Sequence, residues 1–164
     1  MPSKEVNTKF EEVYKQYFRK IYNYAYYLTQ SRFAAEDLCS EAFTSTYVKL
    51  CELNSQIDNI QAWLFRCVKN AFINLSIKDK RYVNNDIVLA NLVSPGEKVD
   101  EQIDFANVMK VIDRELTPPV YKEVLVLKYK FELENDEIAS TLNISTDNVR
   151  QITKRALYKL RTIL

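Results

Sequence analysis

The sequence predicts an all-α protein of two small helical domains joined by a flexible linker, the C-terminal one a helix-turn-helix. Three observations predict it. Gly96 is the only glycine among 164 residues, whereas β-architectures need glycine in their turns. Apolar residues recur at helical spacing through most of the chain. Between about Tyr82 and Gln102 that periodicity fades, and "YVNNDIVLANLVSPGEKVDEQ" holds the only Pro-Gly pair and several acids. Such a stretch reads as a linker, because a structureless loop of this length inside one compact domain is uncommon. The expected division is 1–82, a linker over 83–103, and 104–164.

The first helix is expected from Phe10 to about Leu28, with Phe10, Val13, Tyr14, Tyr17, Ile21, Tyr24 and Leu28 on one stripe. "TQSRF" breaks it. A second helix is expected from about Ala34 to Cys51, with Ala35, Leu38, Ala42, Thr46 and Leu50 inward and Glu36, Asp37, Ser40, Glu41 and Thr44 opposite. "ELNSQIDN" reads as a loop. The third helix should span about Ile60 to Arg81 on a seam of Leu64, Val68, Ala71 and Leu75. After the linker, "DFANVMKVIDREL" is a helical pattern stopped by "TPP". "VYKEVLVLKYKF" is apolar nearly all round and therefore central. "NDEIASTL" has Asn135 or Asp136 placed to cap it. A last helix starts at Ser145 or Thr146 as N-cap and runs to Leu164.

The last two helices, joined by "NIS", describe a helix-turn-helix. Ala139 is small where the helices cross, and Ile144 and Val149 are apolar there. Val149, Ile152, Ala156, Leu157, Leu160 and Ile163 form an inner stripe. Asp147, Arg150, Gln151, Lys154 and Arg161 fall on the other side. The recognition helix of such a motif meets base edges with its N-terminal residues. Arg and Gln pair bidentately with guanine and adenine, while Lys154, Arg155, Lys159 and Arg161 suit phosphates. The plainer alternative is a solvated basic face on a surface helix.

Composition narrows the chemistry. Histidine is absent, which removes the commonest general base and metal ligand. Cys39, Cys51 and Cys67 are widely spaced, so no zinc site and no disulfide framework is expected. No metal and no cofactor is expected, and no catalytic residue. The thiols suit a reducing cytoplasm. "MPSKEVNTKF" has no apolar signal core, and no stretch is apolar enough to insert in a membrane. The formal net charge is +1, so any charged surface is local.

Taken together, both halves resemble the sigma-70 family of bacterial RNA polymerase initiation factors, above all its small two-domain, extracytoplasmic function (ECF) type. "AAEDLCSEAF" is similar to the family's A-E-D-L-x-Q-E-x-F signature. "QAWLFRCVKNAFINLSIKDKR" is similar to its A-W-L-x-x-I-x-x-N segment, which ends in basic residues. "NDEIASTLNISTDNVRQITKRALYKLR" is similar to its promoter −35 reader. Three departures stand out. Ser40 replaces the usual Gln, and Asn143 replaces the usual turn Gly. "VRQITKRALYKLR" looks more like a housekeeping factor than a typical ECF member.

The resemblance implies a non-enzymatic, cytoplasmic promoter-specificity subunit whose partners are bacterial RNA polymerase core and promoter DNA. It implies that Glu36, Asp37, Leu38, Ser40 and Glu41 dock on the coiled coil of the largest polymerase subunit. A solvated acidic face is the alternative. Arg66, Lys69, Asn70, Lys80 and Arg81 would serve the −10 element, and the loop Asn54 to Asn59 would receive a flipped base. Trp63 offers a stacking face, although Trp in an "AWL" context more often belongs to the core. Thr146, Asp147, Asn148, Arg150, Gln151, Lys154 and Arg155 would serve the −35 element. The linker would thread near the polymerase channels, where Asp86, Glu97, Asp100 and Glu101 either mimic nucleic acid or belong to a plain tether. Many small members of the family have an anti-sigma factor, so one is a candidate partner, though no residue identifies its contact.

Two rival readings come from other classes. A stand-alone helix-turn-helix regulator would bind a palindrome as a dimer, without polymerase. It leaves the "AEDL" helix and the basic third helix without a role. A module that only sequesters polymerase would bind core and direct no transcription. The clustered Tyr residues around Tyr22 to Tyr27 suggest nothing beyond core packing.

Overall fold

The computed structural model describes residues 3–52, 56–78 and 119–163. Every regular element among them is helical, and the chain divides into two units, Met1–Asn84 and Asn85–Leu164. The expected linker, with its four acids, and the expected helix over "DFANVMKVIDREL" lie outside the described residues.

The N-terminal unit is three helices, α1 (Lys4–Thr29), α2 (Arg32–Cys51) and α3 (Ile60–Lys78), each packed on the other two. Helix α1 begins six residues earlier than its apolar stripe suggests, because the Ser3 hydroxyl accepts the Val6 N–H at 3.2 Å and so caps a polar first turn. The α1–α2 break is local chemistry. Gln30 takes a left-handed conformation (φ 58°) and its N–H donates to the Tyr26 carbonyl. Ser31 then caps α2 by accepting from the Ala34 N–H at 3.2 Å. Asn59 caps α3 in the same way, on the Ala62 N–H at 3.0 Å.

Ile21, Ala35, Leu64, Phe65 and Val68 are fully buried at the centre of this bundle. Burial of each large member contributes roughly 1.5–3 kcal/mol. All five expected inward residues of α2 are buried. On α1, Val13, Ile21, Tyr24 and Leu28 are buried, Phe10 and Tyr17 half-buried, and Tyr14 is exposed. The physical reason is helical drift. Steps of four residues advance about 40° beyond a full turn, so the ladder Phe10, Tyr14, Phe18, Tyr22 winds off the core side. On α3, Leu75 is only half-buried.

In the C-terminal unit, α4 (Val120–Leu125) runs into a π-helical turn over Val126–Lys130. The Phe131 N–H donates to the Val126 carbonyl at 3.2 Å, five residues back. The single regular helix expected over "VYKEVLVLKYKF" is thus widened at its end. Val124, Leu125, Val126 and Leu127 are consecutively buried, with Phe131 and Leu133 beyond them. The π turn holds Val126 and Leu127, the second half of that run.

Helices α5 (Asn135–Leu142) and α6 (Thr146–Ile163) follow. The N-cap of α5 is Glu134, not Asn135 or Asp136. The Glu137 carboxylate accepts the Glu134 N–H at 2.8 Å. Asn135 Oδ1 is occupied instead by the Lys128 ammonium at 2.8 Å. Asp136 Oδ1 accepts the Glu137 N–H. Asn143 closes α5 in the left-handed region (φ 57°), where Asn is tolerated better than most residues. Ser145 caps α6, accepting the Asn148 N–H at 3.0 Å. Val149, Ile152, Ala156 and Leu160 are buried against α4 and α5, and Leu157 is half-buried. Ala139, at the crossing, is buried too. The side chain of Ile163 lies outside the described residues.

Candidate nucleic-acid and partner-binding surfaces

Because α6 sinks one stripe into the core, its opposite stripe is offered outward. Asp147, Asn148, Arg150, Gln151, Lys154 and Arg155 are all exposed, and Thr146 is half-buried. The Arg150 guanidinium donates to the Asp147 carboxylate at 2.8 Å. Both side chains stay largely in water. The pair holds a planar donor fork at the N-terminal end of α6, next to the Gln151 amide. A face with a charged donor fork, an amide and two further cations can read base edges and neutralise phosphates.

Helix α3 offers a second face. Arg66 and Asn70 are exposed one turn apart, with Lys69 half-buried beside them. The Lys69 ammonium sits 5.8 Å from the centre of the Phe72 ring. Ile73 and Ile77 extend this face toward the helix end, at 44% and 75% exposure, so it is less uniformly basic than its sequence suggests. Lys80 and Arg81 lie outside the described residues, as do Asn54 and Ser55 of the preceding loop. Trp63 is half-buried, and its indole N–H donates to the Thr46 hydroxyl at 3.1 Å. That bond ties α3 to α2 and gives the ring a structural role.

The third face belongs to α2. Glu36, Asp37, Ser40 and Glu41 are exposed along it, and among the described residues no cation pairs with the three carboxylates. Leu38 does not share this face. It is 3% exposed and packs the core, because a residue one or two positions from Asp37 and Ser40 turns to the opposite side of the helix. Two features of this region do not follow from the sequence reading. Phe33 stands 81% exposed on the first turn of α2. A groove of about 540 Å³ runs beside Glu36 and Ser40, against the aromatic ladder of α1. The i, i+4 spacing of Phe10, Tyr14, Phe18 and Tyr22 is the signal in the sequence that points to it.

Two of the three thiols lie beneath these faces: Cys39 lines the groove, and Cys67 lies near Arg66 and Glu41. Burial pushes the Cys39 thiol up to about 12. Burial raises Cys67 to about 11, with nearby Arg66 opposing and Glu41 adding to the shift. Cys51 is exposed. No described helix is long and apolar enough to cross a membrane.

The two units correspond to two family models. Residues 13–82 match sigma-70 region 2, and residues 118–162 match sigma-70 region 4. Curated relatives align over nearly the whole chain. The chain is 28% identical over 155 residues to the ECF RNA polymerase sigma factor SigM of Bacillus subtilis, covering 93% of each protein. It is 26% identical to the ECF RNA polymerase sigma factor SigW of the same organism, covering 93% of this chain and 87% of SigW. It is also similar to BldN of Streptomyces coelicolor, another ECF sigma factor, at 26% identity over 94% of this chain and 60% of BldN. With both regions present in order on an all-helical scaffold, the chain belongs to the sigma-70 family of RNA polymerase sigma factors, as a small ECF-type member.

Proposed function

We propose that the chain directs bacterial RNA polymerase core to specific promoters through three separate helix faces and has no catalytic chemistry of its own. The observation that carries this reading is that α2 and α6 each sink one stripe into a core and present an opposite stripe of polar groups to solvent. The acidic face of α2, Glu36, Asp37, Ser40 and Glu41, suits a basic partner and speeds encounter with it; this is the polymerase-docking face. The face of α3 with Arg66, Lys69 and Asn70 holds the unpaired strand of the −10 element, and the family resemblance assigns Lys80 and Arg81 to the same element. The N-terminal half of α6 enters the major groove at the −35 element, with Arg150 and Gln151 on base edges and Lys154 and Arg155 on phosphates. Residues 83–103 tether the two units. A net charge of +1 suits a protein that meets DNA only after joining polymerase, since strong nonspecific DNA affinity needs many unpaired cations. The place of action is the cytoplasm.

The test is in vitro transcription with purified core polymerase, with and without the protein, on fragments upstream of its own gene. A new, defined start site that disappears in the Arg150→Ala/Gln151→Ala double variant supports the proposal. Binding to core without any new start supports the sequestering module instead. Absence of core binding, together with a gel shift on DNA alone, supports the stand-alone regulator.

A further inference from the structure

The exposed stripe of α3 does not stop at its polar residues. At about 100° per residue, Arg66, Asn70, Ile73 and Ile77 fall within about 60° of one another around the helix, and all four are exposed. Ile73 and Ile77 keep 44% and 75% of their surface in water. Helix stability does not call for them, because isoleucine is stiff at its first torsion and a poorer helix former than Ala, Lys or Gln. A single exposed apolar residue is ordinary. These two stand one turn apart, in line with a guanidinium and an amide that have no hydrogen-bond partner among the described residues. Exposed Asn74 and Lys78 flank them. Thymine is the base whose edge carries a methyl group, and an apolar side chain is what recognises it.

We propose that Ile73 and Ile77 are thymine-reading residues of the α3 face: their methyl groups pack on the 5-methyl groups of thymines in the promoter DNA that Arg66 and Asn70 hold. The inference rests on the −10 reading of α3 and adds a base preference to it. Two observations choose DNA as the occupant. The isoleucines continue the stripe of Arg66 and Asn70 without a break, so a strand laid along that stripe meets both. Charge points the same way. Helix α3 has no Asp or Glu in its 19 residues, and the apolar pair has cations on either side, Arg66 and Lys69 before it and Lys78 after it. A polyanion is attracted along the whole of such a helix. The amides of Asn70 and Asn74 suit adenine edges, and the isoleucines suit the methyl of the thymine paired with adenine. Together they make a surface for A·T-containing sequence.

The experiment measures, by anisotropy, the affinity of core polymerase carrying the full-length chain for labelled promoter DNA. The probe is the fragment upstream of the chain's own gene that gives a start site. Thymines of its −10 element are replaced by deoxyuridine on one strand at a time, which removes the 5-methyl group and nothing else. Each contacted methyl removed should weaken wild-type binding about 4-fold. Ile73→Ala/Ile77→Ala should bind the thymine probe as weakly as the wild type binds the uracil probe, and should not respond to uracil. A loosened bundle does not produce that coupling. Ile77→Ala alone puts the best helix former at the more exposed position, so it preserves the test if the double variant melts lower. A response on one strand places the methyls on the unpaired strand, and a response on both places them in paired DNA; either supports the proposal. Wild-type indifference to uracil on both strands, or a −10 element with no A·T pair, overturns it. Impaired alanine variants without a uracil response make the pair a wedge between bases and overturn the thymine reading. Weaker binding of those variants to core polymerase alone assigns the patch to polymerase and overturns it as well. Arg66→Ala/Asn70→Ala separates the two layers. Unchanged promoter binding in that variant overturns the −10 reading itself. Weakened binding there, with wild-type behaviour in the isoleucine variants, overturns only the thymine reading.

Discussion

The Arg150 guanidinium donates to the Asp147 carboxylate at 2.8 Å, one turn back along the exposed side of α6. The bond spans i to i+3, and its own stability contribution is small, about 0.2–0.5 kcal/mol. Its larger effect is to restrict a long side chain to one orientation before a ligand arrives. Asp147→Ala should leave melting almost unchanged yet weaken holoenzyme binding to the −35 element, measured by anisotropy on labelled promoter DNA. Arg150→Ala and Gln151→Ala should each cost about 1–3 kcal/mol at the preferred sequence and relax discrimination there. Lys154→Ala and Arg155→Ala should weaken binding to all sequences alike, each lowering the salt slope by about 1.

Trp63 and Thr46 join α3 to α2. The Thr46 hydroxyl is fully buried, donates to the Ala42 carbonyl at 2.8 Å and accepts the indole N–H at 3.1 Å. Thr46→Val keeps the shape and removes both bonds, leaving the indole N–H without its partner. The expected loss is about 1–3 kcal/mol. Trp63 is the single Trp of the chain, so its fluorescence during urea unfolding measures that loss in the N-terminal unit.

The thiols give a pH dependence whose sign is fixed by burial. Cys39 stays protonated to about 12 in the folded chain, against an ordinary thiol value of 9.0, and Cys67 to about 11. Below pH 9 both thiols are neutral in the folded and the unfolded chain, and the stabilisation is fully present. Above pH 9 the unfolded chain releases these protons first, so stability falls as pH rises through the folded values. The urea midpoint of the N-terminal unit should therefore drop above pH 9, and drop less in the Cys39→Ala/Cys67→Ala variant. At pH 8 a thiol reagent should modify exposed Cys51 well before the other two react.

Asn143 takes the place of a turn glycine with φ 57°. A β-branched residue there meets its own following carbonyl, at a cost of roughly 1–2 kcal/mol. Asn143→Val should lower the melting temperature of the C-terminal unit and reduce −35 binding with it. Asn143→Gly should be neutral or slightly stabilising, as read by differential scanning calorimetry.

Much of the fold is legible in the residues themselves. The inward residues of α2, the buried stripe Val149, Ile152, Ala156 and Leu160, and the capping Ser145 all follow from spacing and side-chain chemistry that act within one or two turns. The polar faces of α2 and α6 follow as the complements of those stripes. Leu38 stands both in the inner stripe and among the docking residues of the sequence reading, and helix geometry puts it in the core. A longer-range fact concerns Trp63: Thr46, 17 residues earlier on another helix, accepts its N–H and ties the ring to α2.

The sequence alone determined that this protein is helical, that it carries two helical groups, with an acidic face on α2 and basic residues on the faces of α3 and α6, and that it resembles sigma factors, because hydrophobic period and local motifs are encoded residue by residue. Only the tertiary structure decided that the helix begun at Val120 ends in a π turn at Val126–Lys130. It also decided that the Tyr-rich ladder of α1 leaves the core and, with Phe43 and Tyr47, walls a groove beside Glu36. An i, i+4 ladder drifts around its own helix, and which part of it stays in water depends on where the neighbouring helices end.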